Sequence, residues 1–192
     1  MPKIKTFSNL FKIAFITAAL SASFAHANTF KASGSCEVYF SPKGGATQAT
    51  VGHINRAKSE IKVLAFYFTS KPIAQAIEYA RSKGVNVRIV LDRSQPTAKG
   101  NRIKELQDSG AEVRIDSTHP IMHNKVIIID NEIVITGSFN FSATAETRNA
   151  ENLLICKNKE QAALYSENWN YLWGIARDPK DAPAPLKRTS SE

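Results

Sequence analysis

The sequence predicts an α/β fold, a mixed β-sheet sandwiched between helices. Two observations predict it. Short β-branched runs, among them 85–91 and 126–129, alternate with segments whose apolar residues recur at helical spacing. The runs 126–129 and 133–136 are separated only by Asp130, Asn131 and Glu132. That gap is too short for a crossover, so an antiparallel hairpin joins an otherwise alternating order.

At the N-terminus, Lys3, Lys5 and Lys12 precede an apolar segment at 13–20, and Ala25-His26-Ala27 follows. A basic start, a short apolar stretch and small residues at the end predict a secretory signal peptide over 1–27, cut after Ala27. The product would be periplasmic or secreted. The apolar stretch falls well short of the roughly 20 residues of a membrane span, and no stable membrane association is expected. Cleavage removes three lysines and no acids, lowering the formal charge from +8 to +5. That excess suits a polyanionic partner. The remainder is long enough for one domain with a proper core, residues 28–177. The tail 178–192, with three prolines, reads as disordered.

Within the domain, 36–40 reads as a strand ended by Ser41-Pro42-Lys43-Gly44-Gly45. Val51, Ile54 and Ala57 mark a helix over 47–58, and 60–68 is a strand with a nearly continuous apolar interior. Ile73, Ala76, Ile77 and Ala80 mark a helix that starts near Pro72 and stops at Gly84. A strand at 85–91, a helix carrying Ile103 and Leu106, and a short strand at 112–115 lead to the hairpin. A strand at 152–156 and a helix at 159–175 complete the domain, with Trp169 and Trp173 four apart and placed to cap the core. Cys36 and Cys156 both lie in strand-like surroundings, and either a bridge or two separate buried thiols satisfies the sequence. Two cysteines with no Cys/His cluster give no zinc site, and no other metal or cofactor is expected.

The chemistry concentrates in the hairpin. His123 and Lys125 stand two apart at the start of its first strand, on one face. A two-residue turn at Asp130-Asn131 sets His123 opposite Ser138. A turn at Asn131-Glu132 sets it opposite Asn140, with Lys125 opposite Ser138. Both gather imidazole, ammonium, hydroxyl and amide on one face. A three-residue turn would bring Phe139 opposite His123 instead, and the apolar pattern permits it. The chemistry favours the first two. A nucleophilic or acid–base imidazole, a fixed cation and neutral donors suit a phosphodiester.

His123-x-Lys125, four residues, Asp130, then Gly137-Ser138-x-Asn140 resembles the signature of the phospholipase D superfamily. Length and element order resemble its small single-motif endonucleases. The resemblance implies that His123 attacks phosphorus to form a phosphohistidine, and that Lys125 and Asn140 hold the non-bridging oxygens, with no metal. Ser138 is a further neutral donor. Glu151 would orient a catalytic imidazole, by analogy the tautomer of His123. Asp130 and Gly137 take structural roles. The family's chemistry uses two histidines, and this chain carries one motif: His53 and His119 each lack a lysine two residues on. A homodimer with a shared site is therefore expected, with His119 a residue that could line its entrance.

Arg93, Lys99, Arg102 and Lys104 surround the polar segment 94–97 and are the expected contacts to nucleic-acid phosphates. The expected activity is a metal-independent phosphodiesterase, specifically a nonspecific endonuclease acting on DNA or RNA. A phospholipase D-type lipid phosphodiesterase or phosphatidyl transferase would share the catalytic residues but should show an apolar channel or interfacial surface. A non-catalytic nucleic-acid-binding module would not need the intact motif.

Overall fold

The computed structural model describes residues 27–182. The expected signal peptide and most of the tail lie outside the described residues. Seven strands form one sheet: β1 Ser35–Ser41, β2 Glu60–Ala65, β3 Asn86–Asp92, β4 Glu112–Asp116, β5 Lys125–Ile129, β6 Ile133–Gly137 and β7 Glu151–Lys157. Their spatial order is β1-β7-β6-β5-β2-β3-β4. β2, β3 and β4 run parallel, while β5, β6, β7 and β1 add antiparallel neighbours, so the sheet is mixed. The helices are α1 Ala46–Asn55, α2 Lys71–Ser82, α3 Ile103–Asp108, α4 Ala143–Thr147 and α5 Lys159–Ile175.

The alternation of strand residues builds two cores. Val87, Ile89 and Leu91 point to the side covered by Ile54 of α1, Ile73 and Ile77 of α2, and Leu106 of α3. Leu64, Val90, Ile128 and Val134 point to the other side, against Ala162, Trp169 and Leu172 of α5. This is the expected α/β/α layering. Local chemistry sets the ends: Pro72 sits in the first turn of α2 and Gly84 follows it at φ 85°. The Asn158 side chain accepts the Gln161 N–H to start α5. Trp169 is fully buried and stacks on Trp173 with ring centroids 5.0 Å apart, so the pair closes the second core as expected.

Strand β2 ends at Ala65, earlier than its apolar run suggested, because Phe66 to Phe68 turn off the sheet; Phe68 forms only an isolated bridge to Phe141. The short helix α4 carries too few residues for a readable period. Cys36 and Cys156 stand directly opposite in the β1–β7 ladder and are joined in a disulfide, which closes the alternative the sequence left open.

The hairpin register is a correction. Ile129 pairs with Ile133 and Val126 with Thr136, so the turn has three residues, the arrangement the chemistry had disfavoured. Asp130 and Asn131 both take left-handed backbone, φ 55° and 51°, which this turn requires. The Asp130 carboxylate accepts the N–H groups of Lys58, Ser59 and Glu60 and the Ser59 hydroxyl at 2.8–3.2 Å. It thereby ties the hairpin turn to the start of β2.

Burial works to raise the Asp130 pKa, but the donors at Ser59, Glu60 and Lys58 outweigh it and hold the carboxyl below its usual range. The depressed group stabilises the fold above the unfolded-state pKa, and this contribution is lost as pH falls through the folded one. Asp130→Asn is expected to cost about 2–3 kcal/mol at neutral pH, with the gap to wild type narrowing in acid. Urea unfolding across pH checks this; a gap independent of pH would remove the charge from the account.

Candidate active site

His123, Lys125, Ser138, Asn140 and Glu151 lie at one rim of the sheet, where the carboxyl ends of β2, β3 and β4 meet the amino end of β5, while Asp130 lies at the opposite end of β5 in the hairpin turn. Convergence survives the different register because neither hairpin strand extends to its motif ends. β5 begins at Lys125, and β6 stops at Gly137. Gly137 has φ 151°, and a Cβ there would lie 2.3 Å from the Asn152 carbonyl oxygen, so only glycine fits. The next two N–H groups, of Ser138 and Phe139, both donate to that same carbonyl. The bend sends Phe139 into the core, fully buried, and leaves Ser138 exposed at the rim.

Ser138 Oγ donates to Glu151 Oε2 at 2.5 Å and accepts the Asn152 N–H at 3.1 Å. Asn149 Nδ2 donates to the other Glu151 oxygen at 2.9 Å. Lys125 is 6 % exposed, and its Nζ donates to the His123 carbonyl at 3.1 Å. Burial lowers the lysine pKa, and the nearby Glu151 charge pulls it back up. Asn140 is half-buried; its Oδ1 is buried without a hydrogen-bond partner among the described residues.

The His123 ring is exposed and packs edge-on against Phe66, centroids 4.6 Å apart, while Lys125 Nζ lies 5.1 Å from the centre of the same Phe66 ring. Among the described residues no hydrogen bond reaches the His123 imidazole, and Glu151 spends its two oxygens on Ser138 and Asn149. The expected Glu151 role on His123 is therefore not seen within one chain. Phe66 and Asn149 are members of the site that sequence reasoning missed. Phe66 becomes visible only once β2 is paired with β5, Ala65 opposite Lys125.

The expected substrate contacts separate. Arg93 follows β3 at the same rim, half-buried, with its Nε buried and unpartnered among the described residues. Arg102 is engaged by the Thr69 carbonyl and by Glu105. Lys99 is exposed, and Lys104 pairs with Asp108 at 2.6 Å beside the hollow between α2 and α3. The principal hollows lie away from the motif, which occupies open surface. Among the described residues, no three His, Cys, Asp or Glu side chains cluster as a metal site.

Comparison with known proteins places this rim. The family model described as cardiolipin synthase, PLD-like domain, matches residues 51–173. A phospholipase D of Rickettsia felis is 45 % identical over 130 residues, which cover 68 % of this chain and 65 % of that protein. A mitochondrial cardiolipin hydrolase of Xenopus tropicalis is 32 % identical over 118 residues, 62 % of this chain and 56 % of the relative. The chain thus spans less than two thirds of the length of these relatives. Among solved structures, Nuc from Salmonella typhimurium, a phospholipase D family member, superposes with a TM-score of 0.72 at 38 % identity, covering 76 % of this chain and 98 % of that one. NucT from Helicobacter pylori gives a TM-score of 0.71 at 25 % identity, covering 75 % and 98 %. With the family model matching most of the chain, its His-x-Lys rim included, the chain belongs to the phospholipase D superfamily.

Proposed function

We propose that the chain is a secreted, metal-independent phosphodiesterase, a nonspecific endonuclease of DNA, working as a homodimer with one shared site. The observation that carries the reading is the incompleteness of the site in a single chain. Cation, hydroxyl, amide and carboxylate stand at the rim with one motif imidazole, His123, and among the described residues no hydrogen bond orients its ring. A second copy supplies the other imidazole and a wall for the open surface. Val38 and Phe40, 55 % and 65 % exposed on edge strand β1, offer apolar area for that contact. Strand β1 ends with Ser41 opposite Glu151, so this area adjoins the site. The disulfide suits an oxidising compartment outside the cytosol.

In the first step a ring nitrogen of one His123 attacks phosphorus. The P–N bond forms, the bond to the leaving oxygen breaks, and the second His123 gives that oxygen its proton. Water then attacks the phosphohistidine, loses its proton to the second imidazole, and frees the first. Lys125 and Asn140 hold the non-bridging oxygens while charge builds on them. A buried ammonium stands where a two-metal nuclease would place acids.

A lipid reading is favoured by the names of the relatives, phospholipase D and cardiolipin hydrolase. One assay separates the readings: the protein freed of residues 1–27 is incubated with plasmid DNA, RNA and phospholipid vesicles, with and without EDTA. Nucleic-acid cleavage that survives EDTA is expected. Headgroup release without nucleic-acid cleavage supports the lipid reading, and loss in EDTA restored by a divalent ion contradicts metal independence.

A further inference from the structure

The sheet order carries basic groups outward from the motif along one rim. Crossing from β5 through β2 and β3 to β4, the rim presents His123, then Phe66, then Arg93, then His119. Three strand spacings separate β5 from β4, about 14 Å. That distance is far beyond a single phosphodiester and within reach of a short oligonucleotide.

His119 is built into this rim. Its Nδ1 lies 2.7 Å from Asp116 Oδ2; the Asp116 carboxylate is fully buried, and the imidazole is 40 % exposed. The other Asp116 oxygen accepts the N–H groups of Thr118 and His119. On the neighbouring strand Asp92, directly opposite Asp116 and 2 % exposed, accepts the N–H of Ser94 and that of Met122. Two buried carboxylates therefore fix the loop 117–124, which holds His119 at one end and His123 at the other. A buried charge is costly unless it is paired. Here Asp116 fixes one ring nitrogen of a surface histidine and leaves Nε2 free for a ligand.

We propose that the Asp116–His119 pair is an anchor for a substrate phosphate distant from the scissile one. A single strand would run across the carboxyl rim from His123 past Arg93 to His119. In its cationic form the imidazole donates Nε2–H to a non-bridging oxygen, with its positive charge balanced by Asp116. Arg93, whose Nε lacks a partner among the described residues, serves the phosphates between. His119 on this account is a binding residue that takes no part in bond breaking. The inference rests on the nucleic-acid reading above and adds the path and length of the bound strand.

The test uses the full protein freed of residues 1–27 and two substrates, bis(p-nitrophenyl) phosphate and a fluorescent single-stranded octanucleotide. His119→Gln removes the imidazole while keeping a donor toward Asp116, which protects the fold, and His119→Lys places a cation there. His119→Gln is expected to raise KM for the octanucleotide roughly tenfold or more, with its kcat and both constants for the small diester unchanged. His119→Lys should recover part of the lost affinity. Equal losses on both substrates, or a lowered melting point in His119→Gln, would reduce the pair to a structural lock. No change on either substrate would remove it from the path. Wild-type protein that cleaves the small diester and no octanucleotide would instead overturn the nucleic-acid reading, and the anchor with it.

Discussion

Replacing His123 by asparagine is expected to lower the rate of plasmid cleavage by about 10⁴-fold or more without lowering the melting temperature. The two halves of this expectation come from different atoms of one residue. The ring is exposed and touches the rest of the chain edge-on at Phe66, so its loss removes little packing. The backbone carbonyl receives the Lys125 ammonium, and that contact stays in the variant. In a shared site the substitution removes the nucleophile and the proton donor together, whereas losing an acid–base group alone costs about 10²–10⁴. Steady-state rates and thermal melts on the same preparation check both halves. Residual activity above a hundredth of wild type would point to another nucleophile.

Replacing Lys125 by methionine is expected to lower kcat by about 10²–10³ while leaving the protein as stable as before or more so at neutral pH. Lys125 is 6 % exposed, and in the proposed mechanism its ammonium meets the charge that develops on the phosphorane oxygens. Burial draws its pKa below the usual lysine range despite the Glu151 charge nearby. The unfolded chain therefore binds this proton more tightly than the folded one. The ammonium costs stability at all pH values below its folded pKa, and the cost fades as pH rises toward the unfolded value. Methionine has similar length and no charge. Its stability advantage should be greatest at neutral pH and shrink in alkali. A methionine variant less stable than wild type at neutral pH would show that the ammonium's contacts outweigh its burial.

The layering of the fold was legible because strand–helix alternation is a long-range pattern made of many short signals. The hairpin register was not. Val126, Ile128 and Val134 face one core and Ile127, Ile129 and Ile135 the other, so both faces are apolar and parity carries no information. What decides it is Asp130, whose carboxylate binds the backbone at residues 58–60, some seventy positions earlier in the chain. Nothing local to the hairpin records that contact. The motif itself was legible as a string, but its geometry depends on the bend at Gly137 and on Phe66, which approaches from β2. The same holds for the disulfide: residues 120 apart in sequence meet because β1 returns to pair with β7. Asp116 and His119 are neighbours in sequence, yet the burial that gives the pair its meaning comes from β3 and β4.

The claim that one chain holds half of the chemistry is tested most directly by mixing subunits. Wild-type and His123→Asn chains are refolded together in equal numbers, and exchange is verified with differently tagged copies. If each dimer has one site using both copies of His123, only doubly wild-type dimers turn over, about one quarter of the total. Activity should then follow the square of the wild-type fraction, falling to about one quarter of that of the same number of chains all wild type. A straight-line dependence, with about one half retained after proven exchange, would mean that a single chain supplies the whole site, and would contradict the shared-site account.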